Sequence, residues 1–310
     1  MSIIVFPGQG SQYVNMAMDF NENFSEASNV FQEVEDITKI NIRKIITENQ
    51  DNKLNQTKYT QISIFAASMA IYFTLKKKTD FIDFLPKIAL GHSLGEYAAL
   101  VASNVLNLVD AINLIKIRAE LMNSAIAPNI SGMAAIIGKD AEFIDQVIRK
   151  NNLEITIAND NSPMQVVISG LLSDIDSSER VFKDNGVKRY VKLNVSSAFH
   201  SKYMEDAQKK LIYEIDKVTF NKANNPIISN YDANINNETE KIISSLKNQM
   251  ANKVKWTDSI KQLEKTGLNK IIEIGPGKVL SGLILRISNK FDIISIDKIK
   301  DLEKIKWKKF

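Results

Sequence analysis

No cysteine occurs anywhere in the 310 residues. Disulfides, thiolate metal sites and a cysteine nucleophile are thereby excluded, and an intracellular, reducing compartment is the expectation. Histidine is nearly as scarce, with only two, His92 and His200. Any chemistry that needs an imidazole must use one of them. Charge is close to balanced: 40 Lys+Arg against 36 Asp+Glu leave a net +4, mild for this length and no basis for a nucleic-acid partner. Long apolar runs are missing too. The best candidate, FAASMAIYFTL (65–75), is far short of a membrane span and is followed by KKK. It reads as a buried helix, and no membrane partner is expected. The opening MSIIVFPGQG has no basic segment and too short an apolar run for a secretion signal, so the cytoplasm is the expected location.

What is present is the composition of an ordinary globular protein, 44% hydrophobic and 25% charged, with enough chain for a large domain that carries a smaller one. Asn, Ile and Lys are plentiful, and no internal repeat is visible. Part of the positive balance sits in KIKDLEKIKWKKF (298–310), which reads either as a solvated terminal helix or as an attraction for an acidic partner.

IIVF (3–6) is a short apolar strand running into the loop PGQGSQ, and a helical pattern covers about 58–76. KIAL (87–90) reads as a buried strand, GHS as a turn and LGEYAALVAS as a helix. A second helix, about 108–125, carries Arg118. Between 131 and 195 the rhythm becomes β-α-β-β-α-β, the ferredoxin-like pattern: GMAAIIG, DAEFIDQVIRK, LEITIA, QVVISG, DIDSSERVFKDNG and VKRYVKL. Strands then resume with PIIS, KIIEIG and DIISI. The expected architecture is an α/β core, α/β-hydrolase-like with a largely parallel sheet, interrupted by an inserted ferredoxin-like α+β subdomain. The expected boundaries are 1–127 and 197–310 for the core and 128–196 for the insert.

Within GHSLGEYAAL (91–100), Ser93 stands between Gly91 and Gly95 at a strand-to-helix turn, the setting of a nucleophile elbow. The glycines let the backbone fold tightly enough to lift the hydroxyl above the sheet edge, and the helix start favours a developing oxyanion. A structural turn serine would look the same. Glu96, in the first helical turn, is placed to satisfy that helix dipole, a structural role. A serine nucleophile needs a base. His92 adjoins the serine and projects elsewhere on a tight turn. His200, in VSSAFHSKYM, reads alone as a satisfied structural histidine, yet it is the one plausible base if Ser93 is catalytic.

FPGQGSQ (6–12), GHSLGEYAAL, the arginine of IKIRAELM (115–122), NSPMQVVISG (161–170), a histidine near 200 and EIGPGKVLSGL (273–283) follow one another as in the malonyl-CoA:acyl carrier protein transacylases, and the chain resembles that family from about residue 3 to 288. The resemblance implies that Ser93 is acylated, that His200 is its base, and that the backbone carbonyl of Gln249 orients the histidine in a Ser-His dyad. It places the oxyanion hole at the backbone N–H groups of Gln9 and Leu94. Arg118 matches the arginine that grips the malonyl carboxylate, a task suited to a planar, bidentate guanidinium; on residues alone it would be a surface arginine. Asn161 matches a residue near the acyl site, although an Asn-Ser-Pro turn explains it equally. Phe199, just before His200, matches the bulky residue that goes with malonyl over methylmalonyl selection in related polyketide acyltransferases. AFHSKYM is similar to the stand-alone, trans-acting acyltransferases of polyketide synthases. The implied partners are malonyl-CoA as substrate and an acyl carrier protein as acceptor, in polyketide or fatty acid biosynthesis, with no metal and no bound cofactor needed.

Three other readings stay in view. An acyl hydrolase of the same fold would clear acyl groups from carrier proteins, with water as acceptor. An ordinary α/β-hydrolase esterase would order its triad Ser, Asp/Glu, His with the histidine near the C-terminus, unlike His200. A carrier-protein-binding scaffold would have a dead site.

Overall fold

The computed structural model describes residues 2–78 and 86–305. Its strands in chain order are β1 (Ser2–Phe6), β2 (Pro86–Gly91), β3 (Ser131–Ile137), β4 (Ile155–Ser162), β5 (Gln165–Leu171), β6 (Arg189–Lys192), β7 (Ile227–Ile228), β8 (Ile235–Asn236), β9 (Lys270–Ile274) and β10 (Asp292–Ile296). Six of them form one sheet in the order β10-β9-β1-β2-β7-β8, parallel throughout except for the β7–β8 pair at its edge.

Continuous apolar runs such as IIVF arise because both faces of this sheet are covered. Along β1, Ile4 and Phe6 join the larger core, with the helix Thr57–Lys78, while Ile3 and Val5 join a second core on the opposite face with Trp256 and Leu280. β9 divides the same way, Ile272 and Ile274 to one side and Ile271 to the other. The FAASMAIYFTL segment lies within Thr57–Lys78, with Phe65, Ala66, Ala67, Met69 and Ile71 buried. Among the described residues no helix is long and apolar enough to cross a membrane.

The other four strands form a separate antiparallel sheet, β4-β5-β3-β6. With the helices Ala141–Lys150 and Leu172–Asp184 between them, these strands follow the β-α-β-β-α-β order read from the sequence. Alternation of side chains gives the sheet two different faces. Ala134, Ile136, Val166 and Ile168 pack under its own helices with Ile144, Ile175 and Phe182. Met133, Ala135 and Val167 point the other way, into the large core and a cavity. Backbone bonds tie this unit to the main body: Asp160 N–H donates to the Val254 carbonyl and Val254 N–H to that of Ala158.

The C-terminal segment differs from the helix considered above. Ile299–Lys304 is a 3-10 helix, the buried Asp301 accepting backbone N–H bonds from Asp297 and Lys298. The rest of the tail, 306–310, lies outside the described residues.

Candidate active site

Gly91, Ser93 and Gly95 form the turn between β2 and the helix Gly95–Ala102. A Cβ on Gly91 would stand 2.0 Å from the Gly95 carbonyl carbon, and one on Gly95 would stand 2.2 Å from the Phe6 oxygen. The turn and the end of β1 therefore touch backbone to backbone, which only glycine permits. Ser93 takes φ 52°, a left-handed conformation disfavoured for a side-chain-bearing residue. Two contacts hold it there: its N–H donates to Asn230 Oδ1 at 2.6 Å, and its carbonyl accepts from Gln249 Nε2 at 2.9 Å.

His200 lies 107 positions further on, just past the end of the smaller sheet, and also takes a left-handed φ, 55°. Ser93 Oγ is 2.9 Å from His200 Nε2. On the far side of the ring, Nδ1 is 3.1 Å from the carbonyl of Gln249 and 3.1 Å from that of Asn252. Carbonyls only accept, so Nδ1 carries the proton and Nε2 offers a lone pair to the serine O–H. Burial, reinforced by the Arg118 charge, pushes the imidazole down to about 3, which keeps it neutral at physiological pH.

Arg118 is not on the surface. It is 1% exposed, with its guanidinium near the face of Tyr97. Nη1 donates to Gln61 Oε1, while Nη2 donates to Gln249 Oε1 at 2.9 Å and to Ser93 Oγ at 3.0 Å. All three acceptors are neutral, and Nε has no partner among the described residues. A buried cation held by neutral groups beside a nucleophile is a ready receptor for a carboxylate. Burial accordingly pulls its pKa down.

Ser93, His200 and Arg118 open onto a cavity of about 390 Å³. Gly8, Gln9, Leu94, Asn161 and Phe199 line it, together with Met133, Ala135 and Val167 of the smaller sheet. Gly8 sits so close to the elbow that its Cβ would be 2.4 Å from the His92 carbonyl oxygen. The backbone N–H groups of Gln9 and Leu94 donate to no acceptor among the described residues, while the Gln9 side-chain amide donates to Thr57 Oγ1 at 3.3 Å. His92 faces away from the hydroxyl: Nε2 donates to Asn161 Oδ1 at 2.8 Å, and the ring lies 5.4 Å from that of Trp256. Among the described residues no cluster of three or more His, Asp or Glu could hold a metal ion.

Glu96 lies in the first turn of its helix, as read from the sequence, and makes long-range bonds besides. The carboxylate is fully buried, and Oε2 accepts from Asn230 N–H at 3.1 Å and Gln249 Nε2 at 2.7 Å. Gln61, Asn230 and the Asn252 carbonyl are further participants that the sequence did not single out. Each reaches the site over 50 residues or more, so no local spacing marks it.

Residues 3–290 match the sequence profile described as Acyl transferase domain. The chain is 35% identical over 302 residues to a malonyl CoA-acyl carrier protein transacylase of Bacillus subtilis (strain 168), covering 96% of this chain and 94% of that protein. It is 38% identical over 292 residues to the polyketide biosynthesis protein PksE of the same organism, covering 94% of this chain and 37% of that longer protein. It also superposes, with a TM-score of 0.92 and 33% identity, on a malonyl-transacylase solved in complex with its type II PKS acyl-carrier protein; 97% of each chain is covered.

Proposed function

The chain belongs to the acyl transferase family, and from that premise we propose that it moves a malonyl group from malonyl-CoA to the phosphopantetheine thiol of an acyl carrier protein. The observation that carries this reading is Arg118, a buried guanidinium whose direct hydrogen-bond partners are all neutral, 3.0 Å from the serine that would bear the acyl group.

In the first half-reaction His200 Nε2 takes the Ser93 proton as Oγ attacks the thioester carbonyl. The Gln9 and Leu94 N–H groups receive the oxyanion, and the Arg118 bond to Oγ eases loss of the proton. Collapse breaks the C–S bond, and His200 returns the proton to the departing coenzyme A sulfur. The imidazolium formed midway is stabilised through Nδ1 by the Gln249 and Asn252 carbonyls, in place of an acidic third member. Arg118 holds the malonyl carboxylate meanwhile. In the second half-reaction the carrier thiol attacks the malonyl-serine ester by the same steps in reverse order. Phe199, 5% exposed and lining the cavity, limits space beside the acyl group; Asn161, tied to His92, borders the same space. The core, 1–127 and 197–310, supplies the dyad and clamp, and the unit 128–196 supplies part of the cavity lining. Phe199 beside the base and the likeness to the polyketide protein support a polyketide carrier as acceptor.

Intact-protein mass spectrometry after brief incubation with malonyl-, methylmalonyl- or acetyl-CoA tests the reading. A malonyl adduct is expected on the wild type and not on Ser93→Ala, and it should be discharged by a holo carrier protein. Discharge into water at the same rate without carrier would favour the acyl hydrolase. Polyketide and fatty acid carriers compared as acceptors test the pathway.

A further inference from the structure

Glu96 is a buried acid that the transfer chemistry leaves unused. Its Oε2 is engaged by Asn230 and Gln249, whereas Oε1 meets no donor among the described residues. Gln249 continues the connection, its own Oε1 accepting from Arg118 Nη2 at 2.9 Å. One side-chain amide therefore bridges the carboxyl and the guanidinium.

We infer that Glu96 is the proton-linked counter-charge of Arg118: ionised while the guanidinium is free, and protonated when a substrate carboxylate docks there. This rests on the malonyl reading of Arg118. With one cation and one anion the empty site is neutral. A malonyl carboxylate would leave a net negative charge in a region closed to water, and a buried unpaired charge is costly. Protonating the least stable anion removes that cost, and Oε1 is a free oxygen on which the proton can sit. The groups that bear on Glu96 come from several elements. Arg118, on the helix Leu108–Ser124, favours the anion, as do the bonds from Gln249 and Asn230, while Asp232, in the loop after β7, opposes it. Tyr97, the next residue on its own helix, also interacts with it. Burial outweighs these and pushes the carboxyl up to about 7, where a small change in surroundings moves the proton.

The ratio of kcat/KM for malonyl loading to that for acetyl loading isolates the effect. Ionisations of coenzyme A, Ser93 and His200 are common to both substrates and cancel. Linkage to one group titrating at about 7 makes the ratio about tenfold higher at pH 6 than at pH 8. Glu96→Gln keeps an acceptor for Gln249 and Asn230 and loses the titration, so its ratio should not vary with pH. A second readout needs only the wild type: at pH 7.5, in weak buffer with a pH indicator, malonyl loading should take up about three-quarters of a proton per site and acetyl loading none. A malonyl adduct that forms with a pH-independent ratio would overturn this inference alone, and so would equal proton uptake with both substrates or an unchanged slope in Glu96→Gln. Failure to form any malonyl adduct would overturn the malonyl reading and this inference with it.

Discussion

Replacing Arg118 with alanine tests the proposed malonyl clamp apart from the rest of the machinery, because acetyl and malonyl thioesters share everything except the distal carboxylate. The guanidinium is fully enclosed, and its bonds go to Gln61, Gln249 and Ser93 Oγ. For an acetyl donor the substitution removes the contact to Oγ, one hydrogen bond of about 1 kcal/mol, or roughly fivefold in rate. For a malonyl donor it also leaves a buried carboxylate without its partner, about 3 kcal/mol in all, or over a hundredfold. The preference for malonyl over acetyl should then fall about thirtyfold in rapid-quench measurements of serine acylation.

The substitution also empties a buried space and strips Gln61 and Gln249 of a donor, so damage to the fold could mimic damage to the site. Arg118→Met in a Glu96→Gln background answers this. It fills a similar volume and removes both buried charges together, and exchanging a buried pair for neutral, packed groups is commonly neutral or stabilising. The double variant should melt close to the wild type and still lose malonyl preference relative to Glu96→Gln. Equal loss of acetyl and malonyl loading in a variant that melts normally would refute the clamp.

Phe199→Ser should raise methylmalonyl loading relative to malonyl by tenfold or more in the same assay, at a cost of about 3 kcal/mol in urea unfolding, because the ring is buried in the large core as well as facing the cavity. Gly95→Ala drives a methyl into the Phe6 and Pro7 carbonyls, so a loss of about 3 kcal/mol or more is expected; a melting temperature within a few degrees of wild type would contradict the close approach. In the proposed mechanism the base is neutral His200, pushed down to about 3, which moves the acid limb of acetyl loading to that pH: kcat/KM should stay flat to pH 5, where an ordinary histidine would have lost about thirtyfold. Glu96 is shifted upward, so the folded protein holds a proton between pH 4.5 and about 7 that the unfolded chain has released, and stability from this group is lost as pH rises through that window. Wild type should therefore lose about 3 kcal/mol relative to Glu96→Gln between those limits, and parallel urea curves at pH 4.5 and 7.5 would contradict it.

The parts legible in the sequence were those whose cause is local. β1, β2 and β9 read as unbroken apolar runs because both faces of their sheet meet a core. The elbow was legible because its two glycines meet each other and the adjoining strand end across a few residues of turn. His200 could be reached only by elimination, since nothing near it in the chain announces a base. The burial of Arg118 was invisible, because its helix carries Lys116 and Glu120 beside it and composition alone points to the surface. Glu96 was legible only in part for a related reason. A carboxylate in a first helical turn has a sufficient local explanation in the dipole, and nothing local announces its bonds from Asn230 and Gln249, more than 130 residues away.

Ser93 and His200 both occupy left-handed backbone that costs a residue with a Cβ about 1–2 kcal/mol, and glycine, which would relieve it, has no hydroxyl or imidazole to contribute. Such strain persists only where the surroundings over-determine the conformation, and the over-determination converges on Gln249. Its backbone carbonyl accepts from His200, its side-chain oxygen accepts from Arg118, and its side-chain nitrogen donates to the Ser93 carbonyl and to Glu96. An aspartate in place of the His200-facing carbonyl would supply a stronger partner for the imidazolium, but it would set a permanent anion near Arg118 and compete with an incoming carboxylate for the same charge. In the proposed mechanism, orienting the base with neutral carbonyls keeps the guanidinium available, which is why a dyad, and not an acid-containing triad, suits a site that must receive an anionic acyl group.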